Sequence, residues 1–204
     1  MPTLALFGTS ADPPTAGHLA ILSWLSRHFD EVAVWASDNP FKLHQTPLEH
    51  RQRMLQLLIE EIHDLLLHQG QPPNVQLYPE LSYPRAFMTV ERARLRWPDG
   101  EFTLVIGSDL VSQLPQWYKV EDLLQAVKLL VVPRPGYPIA EWDLRSLRHL
   151  GAEVAIADLS APAVSSSTYR EQGDSEIIPP PVEAYITQER LYHPPSQAYY
   201  SAHG

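Results

Sequence analysis

An α/β fold, a doubly wound parallel sheet with helices on both faces, is the class this sequence predicts. Segments patterned as strands alternate with segments patterned as helices along the chain, which is the order that builds a parallel sheet from β-α-β units. The strand segments are apolar throughout instead of alternating with polar residues, as strands buried on both faces must be. At 204 residues the chain is long enough to bury one core without staples. A single domain is expected over 1–192, followed by a polar tail, 193–204, that lacks apolar periodicity and reads as loosely ordered.

The elements follow in order. Residues 3–7 form a short apolar strand ending at Gly8. A helix over 16–29 carries Leu19, Leu22, Leu25 and Phe29 as one stripe at three- and four-residue spacing. Residues 32–36 are the second strand. The loop 37–47 leads to a long helix with Met54, Leu57, Leu58, Ile62 and Leu65 on one face, stopped by 70–73. Strand 75–78 precedes helix 87–97, and strand 102–106 precedes helix 120–127. Strand 129–132 precedes helix 142–150, closed by Gly151, and 154–156 is the last strand. Two short helical patterns, 166–172 and 182–190, end the domain. Many of the 20 prolines fall between these segments, where a missing donor and a fixed φ punctuate the chain.

In such Rossmann-like sheets, ligands lie beyond the carboxyl ends of the strands, at the point where strand order reverses. That rule selects the loops after Phe7, Ala36, Tyr78, Ile106, Val132 and Ile156, and the sharpest motifs fall in four of them.

Composition narrows the function. A formal charge of -9 argues against a nucleic-acid or acidic-membrane partner, where a basic stripe is expected, but leaves room for a local pocket for small anions. There are no cysteines, which removes disulfides, thiolate metal sites and a cysteine nucleophile together. No run of about 18 apolar residues would span a membrane, and residues 1–8 read as a strand without a basic leader. The expected location is cytoplasmic.

Residues 8–18, GTSADPPTAGH, join the first strand to the first helix. Gly8, Thr9 and Ser10 are small where backbone passes close to a bulky group. Thr15 and His18, three apart at the helix start, share a face, and Gly17 leaves that surface bare. A helix start offers unpaired N–H groups and a positive dipole end, suited to phosphate. The same residues also fit a plain strand-turn-helix, with Thr15 as N-cap and His18 a satisfied surface histidine. Far along the chain, residues 164–170, VSSSTYR, hold Ser165, Ser166, Ser167 and Arg170, which alone read as a flexible loop or a cap.

Residues 15–18 resemble the T/HxGH signature of the nucleotidyltransferase superfamily of adenylyl- and cytidylyltransferases, and 164–170 resembles its ISSTxIR signature. The resemblance implies that His18 reaches the α-phosphate of ATP and that the second segment binds the β- and γ-phosphates. Further landmarks are similar to the nicotinate-nucleotide adenylyltransferases: Asn39-Pro-Phe-Lys42, Arg51 with Met54, Ser82-Tyr83 with Thr89, Gly107-Ser-Asp109 then Trp117, Arg134-Pro-Gly136, and Val182, Tyr185-Ile186, Leu191-Tyr192. Together they span about 3–192. Singly, Lys42 also reads as a solvated lysine, Asp109 as a helix N-cap, Trp117 as a core aromatic and 134–136 as an ordinary turn.

What the resemblance implies is an enzyme that joins ATP to nicotinate mononucleotide, giving nicotinate adenine dinucleotide and pyrophosphate. His18, Lys42 and Arg170 would be catalytic. Gly8, Thr9, Ser10, Thr15, Gly17, Gly107, Asp109, Ser165, Ser166 and Ser167 would join His18 and Arg170 around ATP, with Asp109 on the ribose side. Lys42, Ser82, Tyr83, Thr89, Trp117 and Arg134 would face the mononucleotide. Mg²⁺ would arrive with ATP, with no ligand assigned from the protein. His18 is expected to act through a protonated form accessible near neutral pH. Thr15 stands where these enzymes usually carry a first histidine, so its hydroxyl is expected to replace imidazole as a phosphate donor. Ala11 replaces an aromatic, and 84–88 interrupts the segment expected to recognise the pyridine. Alternatives are nicotinamide mononucleotide as acceptor, a phosphopantetheine adenylyltransferase, which Thr15 favours, and a nucleotide-binding regulator without turnover. The partners are ATP and a pyridine mononucleotide, with room for a homo-oligomer.

Overall fold

The computed structural model describes residues 1–38, 45–159 and 161–192. The expected tail, 193–204, and the loop segment 39–44 that contains Lys42 lie outside the described residues.

Six strands form one sheet: β1 (Thr3–Thr9), β2 (Glu31–Ala36), β3 (Val75–Leu77), β4 (Glu101–Gly107), β5 (Lys128–Val132) and β6 (Val154–Ile156). Their order is β3-β2-β1-β4-β5-β6, and every neighbouring pair is parallel. The chain winds outward in one direction through β2 and β3, then returns to the other side of β1 through β4. The reversal lies between β1 and β4, so the loops after these two strands flank the crevice.

Alternate residues of each strand serve different cores. Ala5 and Phe7 of β1 join Val32, Val34, Val105 and Leu130 under one helical layer, while Leu4 and Leu6 join Ala33, Leu104 and Ile106 under the other. The first layer holds α1 (Ala16–Leu25), α2 (Leu48–His68), α6 (Ser166–Gln172) and α7 (Pro180–Glu189); the second holds α3 (Ala86–Arg96), α4 (Val120–Ala126) and α5 (Glu141–His149). Gly151, just past α5, has φ +95, a conformation that glycine adopts without a Cβ clash.

Two expectations need correction. Helix α1 ends at Leu25 instead of continuing to Phe29. Arg27 and His28 donate to the carbonyls of Trp24 and Leu25, three residues back, which tightens the last turn and closes the helix. On α2 the buried face is Arg51, Met54, Leu55, Leu58, Ile59, Ile62 and Leu66. Ile62 and Leu66, four apart, share that face, and Leu65 lies at its edge, 46% exposed.

Candidate active site

After β1 the chain turns through Ala11, at φ 44, and enters α1 with Thr15 as the extended residue before the first turn. His18 occupies the third helical position and is 8% exposed, and Thr15 is 1% exposed. Both nitrogens of the imidazole are engaged. The Thr15 backbone N–H donates to Nδ1 at 3.1 Å, the Thr15 hydroxyl lies 3.0 Å from the same nitrogen, and Nε2 is 2.9 Å from the Thr9 hydroxyl. Burial, and secondarily the positive charge of Arg134, push the ring pKa down to about 4. In the free protein these two effects favour the neutral ring near neutral pH, against the protonated form that the sequence reading makes accessible there.

The second motif meets the first. Ser165 caps α6, its Oγ accepting from Thr168 N at 3.1 Å. Ser166 Oγ donates to the carbonyl of Pro13 at 2.7 Å, and Arg170 donates to the carbonyl of Asp12 and, at 3.2 Å, to Ser167 Oγ. Gly17 faces Val164: a Cβ built there would stand 3.6 Å from Val164 Cγ2. Two segments about 150 residues apart in sequence thus pack together, through Ser166 on Pro13, Arg170 on Asp12 and Gly17 beside Val164.

Two residues given no site role by the sequence hold the loop after β1 in place. Asp12, 4% exposed, accepts from the Tyr192 hydroxyl at 2.6 Å and from Thr46 N at 3.4 Å, tying the loop to the end of the domain and to the chain before α2. Burial, and then that short bond to a buried carboxylate, raise the Tyr192 pKa far above its ordinary value. Arg51, 2% exposed, donates to the carbonyls of Thr46 (2.8 Å), Ser10 (3.0 Å) and Ser37 (2.8 Å). The guanidinium fork suits several acceptors at once, so it clasps the loops after β1 and β2. Arg51, paired with Met54, is a landmark of the family resemblance, which assigned it no role.

Across the crevice, β4 ends at Gly107. A Cβ at that position would lie 2.8 Å from Arg134 Cδ and closer still to Asp109, so glycine lets those two side chains meet over the strand end. Arg134 Nη1 donates to Asp109 Oδ2 at 3.0 Å. Asp109 Oδ1 is buried with no hydrogen-bond partner among the described residues. Asp109 lies inside a 3₁₀ turn, Ser108–Leu110, which follows Gly107, and so is not an N-cap. Ser108 Oγ accepts from Arg134 N at 2.9 Å and donates to the Tyr137 carbonyl at 2.8 Å, which fixes the turn after β5 against the turn after β4.

The remaining expected site residues are engaged elsewhere. Ser82 Oγ donates to the Ala36 carbonyl at the end of β2 (2.8 Å), and Thr89, fully buried, donates to the Leu81 carbonyl (3.0 Å). Tyr83 lies under Arg92, whose guanidinium carbon is 4.9 Å from the ring centre. Trp117 is half-buried against the second core. A groove of about 700 Å³ opens at the opposite end of the sheet, between Met1, Gly100, Lys128 and Glu153. It contains none of the motif residues and lies at the starts of the strands, where this fold does not place its chemistry.

Residues 6–172 match the family described as cytidylyltransferase-like. A protein of Synechocystis sp. (strain ATCC 27184 / PCC 6803 / Kazusa), described as a probable nicotinate-nucleotide adenylyltransferase, is 45% identical over 93% of this chain and 98% of its own. A Bacillus pumilus protein of the same description is 28% identical over 94% of this chain and 99% of its own. The fold is similar to that of Plasmodium falciparum nicotinic acid mononucleotide adenylyltransferase complexed with NaAD, with a TM-score of 0.76 at 18% identity, over 94% of this chain and 98% of that one.

Proposed function

The chain belongs to the cytidylyltransferase-like family and, within it, to the nicotinate-nucleotide adenylyltransferases, and from that premise we propose how its residues divide the work of adenylyl transfer. The reaction moves AMP from ATP to nicotinate mononucleotide. A 5′-phosphate oxygen of the mononucleotide bonds to the α-phosphorus, the bond to the β-phosphate oxygen breaks, and pyrophosphate leaves. The attacking phosphate is already ionised, so alignment and neutralisation of oxygen charge supply the rate.

The observation that carries the assignment of residues is the meeting of 12–18 with 164–170. His18 Nε2–H is the donor for the α-phosphate, and Arg170 is the charge-assisted donor for the β- and γ-phosphates, with Gly8, Thr9, Ser10, Thr15, Gly17 and Ser165 to Ser167 around them. Lys42 holds phosphate oxygens. The unpartnered Oδ1 of Asp109 supports its role toward the ribose, whose hydroxyls are donors of the kind a buried carboxylate oxygen lacks here. Arg134, beside Asp109, completes the cationic side of the crevice toward the mononucleotide. Ser82, Tyr83 and Trp117 shape the pyridine end, and Thr89 acts there through the Leu81–Ser82 turn.

Mg²⁺ supplies charge neutralisation on the phosphates when bound. Phosphate and water oxygens would be its ligands; among the described residues no three His, Cys, Asp or Glu side chains are grouped to hold a metal. Among the described residues no helix is long and apolar enough to cross a membrane. The cytoplasm as its location, and a homo-oligomer as its assembly, are part of the same proposal.

Pyrophosphate release from ATP with nicotinate mononucleotide, nicotinamide mononucleotide or phosphopantetheine tests the reading. The acid form of the pyridine nucleotide should turn over fastest and the amide second. Turnover with phosphopantetheine alone would transfer the enzyme to the rival class that Thr15 favours, and absence of turnover with all three would make it a regulator.

A further inference from the structure

The contacts of His18 specify where its proton sits. A backbone N–H can only donate, so the 3.1 Å approach of Thr15 N makes Nδ1 an acceptor. A second proton, as in the imidazolium, would occupy Nδ1 and face that N–H directly. The Thr15 hydroxyl, 3.0 Å away and buried, is a second donor to the same lone pair. The proton of the neutral ring is then on Nε2, aimed at Thr9 Oγ1 at 2.9 Å. Thr9 Oγ1 also accepts from Ala11 N at 3.3 Å, so two N–H groups converge on that oxygen and its own proton is left for a further acceptor.

We propose that Thr15 and Thr9 are positioning residues that hold His18 as a neutral ring with its proton on Nε2, so that the imidazole serves adenylyl transfer as a hydrogen-bond donor. The proposal rests on the adenylyltransferase reading and departs from the expectation that the Thr15 hydroxyl itself binds phosphate. With the hydroxyl buried against Nδ1, Thr15 acts through His18. The surrounding charges agree. Arg134, reaching in from the turn after β5, opposes a second proton on the ring. The Asp12 carboxylate is taken up by Tyr192 and Thr46, and Arg170 is bound to the Asp12 carbonyl. A triphosphate would draw a second proton toward the ring, and the fixed N–H of Thr15 resists it at the nitrogen where that proton would go.

The test is a two-bond ¹H–¹⁵N correlation spectrum of the full-length protein labelled with ¹⁵N-histidine. The His18 signals are those missing from His18→Gln. From about pH 5.5 to 8, without nucleotide and with a non-hydrolysable ATP analogue, Nδ1 should be bare and Nε2 protonated. A doubly protonated ring in this range, or a proton on Nδ1, overturns the proposal. Thr15→Val keeps the backbone N–H on Nδ1 and so should keep the tautomer, but by losing the hydroxyl that positions the ring it should lower kcat several-fold, with KM for ATP held within about two-fold, and Thr15→Ser should restore kcat. A raised KM for ATP with kcat unchanged would make Thr15 a phosphate ligand instead. The spectrum of the free protein needs no turnover, whereas pyrophosphate release by the wild type needs no tautomer. Failure of the positioning proposal and failure of the adenylyltransferase reading are therefore separate results.

Discussion

His18 joins sequence, fold and chemistry in a single side chain. Its position was legible from the spacing of Thr15, Gly17 and His18 after an apolar strand. Its protonation was not, because the burial comes from packing and the opposing charge comes from Arg134, which lies far along the chain. A ring held neutral down to about pH 4 in the fold, but titrating at its ordinary value in the unfolded chain, makes stability fall with acid. The unfolded state takes up the proton first, so stability is complete above about pH 6.5 and declines toward pH 4, by roughly 3 kcal/mol. Measured by urea unfolding, the advantage of wild type over His18→Gln should shrink by about that amount across this window; a constant difference would show that the ring titrates normally. For chemistry, His18→Ala should fold and lose about 2.7–4 kcal/mol of transition-state stabilisation, a fall in kcat of roughly 10² to 10³. Near-normal turnover would move the centre of the chemistry elsewhere.

Helices and strands were located from periodicity with small errors at their ends, and those errors have local causes such as the tightened turn after Leu25. What periodicity cannot display is a polar residue used inside an apolar face. Arg51 sits on the buried side of α2 beside Met54, and three backbone carbonyls from two loops converge on it. Arg51→Met keeps much of the volume and leaves those carbonyls without their donor, at a cost of about 3 kcal/mol or more. Urea unfolding should show the loss, and Arg51→Lys should recover only part of it because a point charge cannot span the fork. Unchanged stability in Arg51→Met would mean that the loops after β1 and β2 are held by other contacts. Asp12 was hidden for a related reason: its partners, Tyr192 and Thr46, lie in a closing segment that reads as structural and in a loop without a pattern.

At the scale of the molecule, the strand order β3-β2-β1-β4-β5-β6 brings the turns after β1 and β4 to one crevice, and the return of the chain through α6 sets Ser166 and Arg170 against the loop after β1. The alternation of apolar strands and helices made the sheet legible in the sequence. The contact of Gly17 with Val164 was not, since only the folded chain sets those residues side by side. The groove at the far end of the sheet supplies a control surface, since it contains none of the motif residues. A crystal structure of the protein with a non-hydrolysable ATP analogue tests the convergence most directly. The α-phosphate should lie within about 3 Å of His18 Nε2, with the outer phosphates against Ser166 and Arg170. A nucleotide bound between Met1, Gly100 and Lys128, or one whose phosphates touch His18 but leave Arg170 facing Asp12 alone, would contradict it.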